Sequence, residues 1–125
     1  MHIRSILNIP QPLKSPSGEN VYELIGVSSL TGNAKGHSLA YIVITPGGKS
    51  SRHFHKVSEE SYYILEGEAR LSVDRQETRL SASQACLILP PSTHEITNVG
   101  SGNLVFIAVC TPPWVPGDSY TVTLE

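Results

Sequence analysis

Short runs rich in Val, Ile, Leu and Tyr are separated along the chain by breaks of Gly, Pro, Asn and Asp, with nine prolines and ten glycines in all. Such spacing leaves little room for long helices and predicts many short strands. Strands are expected at Val21–Val27, Leu39–Thr45, Ser51–His55, Ser61–Leu65, Glu68–Val73, Ala85–Leu89, His94–Asn98 and Leu104–Cys110. The segments between them, TPGGKS, LEGE, VDRQE, PPST and NVGSGN, carry turn residues at intervals suited to hairpins. No helical periodicity alternates with the strands, so an all-β barrel or sandwich is favoured over a parallel α/β fold.

At 125 residues the chain is expected to form one domain, with a core over about residues 20–110. Residues 1–19 read as an N-terminal arm, irregular over 10–20, and residues 111–125 as a proline-rich tail containing Trp114. Hydrophobic residues make up 39% and charged residues 16%, a balance that supports a packed core and argues against disorder. The net charge of -2 and the scattered lysines and arginines give no field for nucleic acid or anionic lipid, so neither is an expected partner. No run is long enough to cross a bilayer, and MHIRSILNIPQP meets Pro10 too early for a signal peptide. A soluble cytoplasmic protein is the default expectation. The two cysteines, Cys86 and Cys110, sit in apolar runs and read as buried thiols in a reducing compartment.

The chemistry is concentrated between Gly47 and Gly67. His53 and His55 are two apart, and on a strand such residues point to one face, with Phe54 turned the other way. A short turn follows and Glu60 opens the next strand; antiparallel pairing of the two strands would set its carboxylate near the imidazoles. His94 supplies a third imidazole at the head of HEITN. Imidazole and carboxylate together suit one divalent first-row ion: Fe, Mn, Co, Ni or Zn. Four protein ligands on an octahedral ion leave two adjacent positions for water or substrate. Each residue alone has a plainer reading, since exposed histidines and turn glutamates are common; their convergence carries the signal. His2 and His37 have no partner in this pattern.

The stretch resembles the first motif of the cupin superfamily, G-x5-H-x-H-x3-4-E-x6-G, with Gly47, His53, His55, Glu60 and Gly67 at the required spacing. The spacing to Gly67 selects Glu60 over Glu59. The second cupin motif, G-x5-P-x-G-x2-H-x3-N, is matched by Pro90, His94 and Asn98. Gln84 and Ala85 stand where it usually has Gly and Asp, and PPSTH lacks its Gly and is one residue shorter. The tail CTPPWVPGDSY is similar to the end of many small single-domain cupins. The resemblance covers roughly residues 38–120 and implies a double-stranded β-helix, or jelly-roll barrel, with a three-histidine, one-glutamate metal site in its mouth. It further implies a homodimer, in which residues 1–9 either pack as a strand on the partner subunit or pair within their own barrel.

Alternation extends the inventory. If Glu60 points inward, so do Tyr62 and Ile64; if His94 does, so do Ile96 and Asn98. Tyr62, Ile64 and Ile96 are therefore expected to line a mostly apolar substrate pocket, with the Tyr62 hydroxyl available as a hydrogen-bond partner or acid. Arg52 flanks the histidines on the opposite face, as a solvated side chain or, less simply, a substrate clamp. Trp114 either lids the barrel mouth or staples the C-terminus. Two functions fit. One is a metalloenzyme acting on a small oxygen-bearing organic molecule, as a dioxygenase, isomerase or lyase; the other is a non-catalytic module that anchors such a molecule on the metal for binding or sensing.

Overall fold

The computed structural model describes residues 1–123. Strands whose side chains alternate between buried and exposed build the interior: His94, Ile96 and Asn98 are buried along HEITN, as are Glu60, Tyr62 and Ile64 along EESYYILE. Eleven strands result among the described residues: β1 (Leu13–Lys14), β2 (Glu19–Ile25), β3 (Ser38–Ile44), β4 (His53–Phe54), β5 (Glu59–Glu66), β6 (Glu68–Val73), β7 (Gln76–Ser81), β8 (Ala85–Ile88), β9 (His94–Asn98), β10 (Leu104–Thr111) and β11 (Tyr120–Thr121). They form two antiparallel sheets, ordered β1-β2-β3-β10-β5-β8 and β11-β4-β9-β6-β7. The fold is the expected all-β jelly roll.

One end of the barrel is closed by apolar side chains from both sheets. Ile42 and Ile44 from β3, Ile64 from β5, Leu71 from β6, Ile96 from β9 and Phe106 from β10 belong to one buried cluster. Each such side chain contributes about 1.5–3 kcal/mol when fully removed from water. The other end holds the polar residues. Along β5 the two ends are separated by the four residue steps from Glu60 to Ile64, about 13 Å of strand.

Gly67 shows why its motif position excludes other residues. Its φ of +94° is a left-handed conformation, and an added Cβ would lie 2.6 Å from the Asn103 carbonyl oxygen. The β5–β6 turn can therefore press against the start of β10.

Several elements differ from expectation. β7 occupies QETRLS, whose first four residues are polar and exposed and which offers a single buried apolar residue, Leu80, too little for an apolar signal; the VDRQE turn shrinks to Asp74 and Arg75, with Val73 paired to Gln76. β4 keeps only two of its five predicted residues. β1 and β2 begin within the stretch predicted to be irregular. Residues 1–9 contain no strand: Ser5 and Asn8 cap each other across a short 3-10 turn at Ile6–Asn8. The arm is instead anchored by side chains on β2 carbonyls beyond the end of β1, with His2 Nε2 3.0 Å from Leu24 O and Arg4 donating to Glu23 O at 2.9 Å. The final two residues of the predicted tail lie outside the described residues.

Candidate metal centre

Opposed strands bring the four motif residues together. His53 on β4 is paired directly with His94 on β9, so two imidazoles stand side by side on one sheet. Glu60 reaches them from β5 of the other sheet. This corrects the expected hairpin: β4 and β5 do not pair, and the carboxylate faces the histidines across the barrel interior. One ligating atom from each of His53, His55, Glu60 and His94 lies within 4.8 Å of all the others. His55, Glu60 and His94 are buried and His53 is half-buried.

Each imidazole is oriented from behind by a backbone carbonyl. Nδ1 of His53 lies 2.8 Å from Ser51 O, that of His55 2.7 Å from Asp118 O, and that of His94 3.1 Å from Ser92 O. With Nδ1–H given to a carbonyl, a neutral ring carries its lone pair on Nε2, turned to the cluster centre. The tautomer follows from these partners. His55 Nε2 is buried without a hydrogen-bond partner, 3.7 Å from Glu60 Oε1, while His94 Nε2 lies 3.0 Å from the same oxygen. Lone pairs facing a buried carboxylate repel it unless protons or a cation stand between them. The donor set therefore fits a divalent ion of the imidazole-binding class.

Burial alone would raise the Glu60 carboxyl, but the facing imidazoles of His55 and His94 outweigh it and hold the group below the usual carboxylate range. Burial, then the neighbouring His94, pushes His53 down and favours its neutral, ligating form. For His55 burial acts in the same direction, but the facing Glu60 carboxylate and the bond to Asp118 O prevail and raise it. Tyr62 donates its hydroxyl to Glu60 Oε1 at 3.2 Å, and Cys110 donates its thiol to Oε2 at 3.2 Å. Burial and the Glu60 charge raise both groups, so each stays a neutral donor.

Asp118 is a site residue that no spacing singles out, although it lies in the tail CTPPWVPGDSY that carries part of the family resemblance. Its carboxylate accepts the backbone N–H groups of Lys56, Val57 and Ser58 at 2.8, 3.2 and 3.0 Å, while its carbonyl orients His55. Burial opposes the charge, but these backbone bonds prevail and hold the carboxyl below its ordinary value. Asp118→Ala keeps the carbonyl behind His55 but releases the carboxylate clamp on Lys56, Val57 and Ser58 that sets its position, so metal affinity is expected to fall by about tenfold, the low end of the effect of losing an outer partner outright, while the sheets stay folded. Unchanged affinity in a competition titration would show that this clamp does not steer His55.

A cavity of about 250 Å³ opens beside the cluster, lined by His53, His55, Glu60 and Tyr62 from one side and by Glu19, Val21 and Glu23 of β2 from another. Ile64 and Ile96, expected to line it, do not; both are fully buried in the apolar cluster, further along their strands. Trp114 does line the cavity, and its backbone N–H donates to Ser38 Oγ at 2.8 Å, which fastens the tail across β3. Arg52 lies away from the cavity, 3.9 Å from Glu95. Neither His2 nor His37 joins the cluster. Alternation from Val21 could have pointed to Glu19, but only once β2 was known to begin two residues earlier than predicted.

A family profile described as "Cupin domain" matches residues 40–110. The chain is 29% identical over 109 residues to an uncharacterized protein of Methanocaldococcus jannaschii, covering 87% of this chain and 86% of that one. It is 31% identical over 75 residues to the oxalate-binding protein of Thermotoga maritima, covering 60% of this chain and 62% of the relative. Oxalate decarboxylase of Lactobacillus farciminis, solved as a formate complex, superposes with a TM-score of 0.80 at 25% identity over 93% of this chain. This chain spans about a third of that decarboxylase, 34% of its length. Profile, barrel and convergent histidines agree: the chain belongs to the cupin family.

Proposed function

We propose that the protein is a metal-dependent cupin enzyme that holds one divalent transition ion on His53, His55, Glu60 and His94 and acts on a small oxygen-bearing organic molecule. The supporting observation is the cluster itself: three imidazoles, each oriented by a carbonyl behind it, meet one buried carboxylate, and His55 Nε2 has no other partner. Iron, manganese, cobalt, nickel and zinc all suit these donors. A bound ion would supply Lewis-acid polarisation or, for a redox-active metal, oxygen chemistry. The protein's own part is to orient the imidazoles, keep Glu60 charged through Tyr62 and Cys110, and enclose the ligand beneath Trp114. A cavity of about 250 Å³ is smaller than most drug-sized pockets, consistent with a ligand of few atoms.

A binding module is the second reading, supported by the Thermotoga maritima relative, whose name describes binding of oxalate. Elemental analysis of reconstituted protein, followed by oxygen consumption and product assays on a panel of diols, catechols and keto acids, separates the two. Near one ion per chain with turnover is expected; one ion without turnover favours the binder, and no ion contradicts both.

The whole chain is proposed to act as one domain, in the cytoplasm, where the free thiols of Cys86 and Cys110 would stay reduced. A homodimer is proposed through the outer face of the six-stranded sheet, where Tyr63, Leu65, Leu87 and Leu89 are exposed together on and beside β5 and β8. Sedimentation should then give twice the 13.5 kDa chain mass, and Leu87→Glu should shift it toward the monomer. A wild-type monomer at micromolar concentration would contradict the pairing.

A further inference from the structure

The cavity wall opposite the histidines carries an acid that the metal cluster does not use. Glu19 lies on β2 two residues before Val21, which packs against the buried cluster, so alternation turns both side chains inward. Both line the cavity. Among the described residues the Glu19 carboxylate accepts no hydrogen bond and forms no ion pair; only its backbone is engaged, with Ser15 and, in the sheet, opposite Ile44 of β3. Glu23 lines the same wall, but its carboxylate lies against the backbone of Gly26, toward the far end of the strand.

Cations are scarce here. Lys14, exposed on β1, is the one lysine or arginine lining the cavity among the described residues, since Arg52 is turned to Glu95. A dicarboxylate bound at the cluster would bring its second charge among Glu19 and Glu23. A hydroxyl-bearing ligand would instead offer a proton that a carboxylate can take.

We propose that Glu19 is the proton acceptor of this cavity and that its ligand is hydroxylic: an enol, a catechol or a vicinal diol. On entry the ligand's O–H bond breaks, its electron pair stays on the ligand oxygen, and the proton forms a new O–H bond on the Glu19 carboxylate. The anionic ligand oxygen then faces the cation held by the cluster; the inference therefore rests on the metal reading. Glu60 and Tyr62 of β5, Cys110 of β10, His53 of β4 and His55 just beyond it are the titratable groups that line the cavity with Glu19, with Lys14 and Glu23 at its edges; His94 of β9 acts on Glu19 through its charge. Before an ion binds, burial, reinforced by the Glu60 charge and opposed by His94, lifts the Glu19 carboxyl to about 7; burial, the largest of these causes, persists with an ion in place and favours taking up a proton.

The test uses zinc-loaded protein and two probes, 4-nitrocatechol and oxalate, titrated across the neutral range. Glu19→Gln is expected to keep its zinc, to bind the catechol roughly tenfold more weakly, equivalent to one pKa unit, and to bind oxalate more tightly because a negative charge has gone. Opposite shifts for the two probes cannot come from general damage to the cavity. Wild-type protein gives a second readout that needs no variant. The probe's visible spectrum counts the protons it has lost, and calorimetry in two buffers counts those reaching solvent; just above neutral pH one should be retained by the protein. Full zinc content with equal shifts for both probes, or with every proton released, overturns the role of Glu19 alone. Failure of wild-type protein to take up zinc overturns the metal reading and this inference together.

Discussion

His94→Ala is expected to weaken metal binding by more than about a hundredfold, beyond the 10–100-fold typical of losing an outer partner. Two effects combine at this position. The substitution removes one of three imidazole donors, and it also takes from Glu60 Oε1 its nearest partner, 3.0 Å away, leaving a carboxylate that is 7% exposed with less to offset its charge. Glu60 then gains from taking up a proton, which further opposes the metal. Neighbouring His53 cannot compensate, because its place on β4 is fixed by pairing to the same β9 position. A competition titration against a chromophoric chelator reads the loss directly, with circular dichroism to confirm that the sheets remain. Affinity equal to wild type in a folded variant would mean that His94 is not a ligand.

Phe106→Ala is expected to cost about 3–5 kcal/mol, a large share of the 5–15 kcal/mol that holds a domain of this size. Phe106 is wholly buried on β10, the strand joining β3 to β5, so the loss falls where both neighbours depend on it. Its ring packs 4.8 Å from that of Tyr62, which donates to Glu60. Truncation should therefore also loosen Tyr62 and lower metal affinity modestly. Urea denaturation gives the stability change; a loss below about 1 kcal/mol, the scale of a minor core trimming, would show that the barrel does not rely on this contact.

The sequence disclosed those parts of the molecule whose physics is local. Period-two alternation recovered β6 and β9 with the bounds the structure shows, and it turned Glu60, Tyr62 and Ile64 inward as one series. Alternation fixes a direction but not a depth, so it could not tell that Tyr62 borders the cavity while Ile64, four residues past Glu60, lies in the closed end. Pairing was equally out of reach. β4 and β5 are adjacent in sequence yet lie in different sheets, because β4 is held by β9 and β11. Asp118 reaches His55 across 63 positions of chain, and Cys110 reaches Glu60 across 50. No periodicity encodes contacts of that separation. The arm misled for another reason: the family resemblance implied a strand over residues 1–9, but Ser5 and Asn8 satisfy one another's backbone in a tight turn, and short polar side chains compete in this way with sheet formation.

X-ray absorption on the zinc-loaded protein examines the centre most directly, because it counts the atoms around the ion itself. Three imidazoles and at least one oxygen are expected, at about 2.0–2.2 Å, with one ion per chain. A shell containing no imidazole, or a single one, would show that these side chains converge in the barrel without holding a metal.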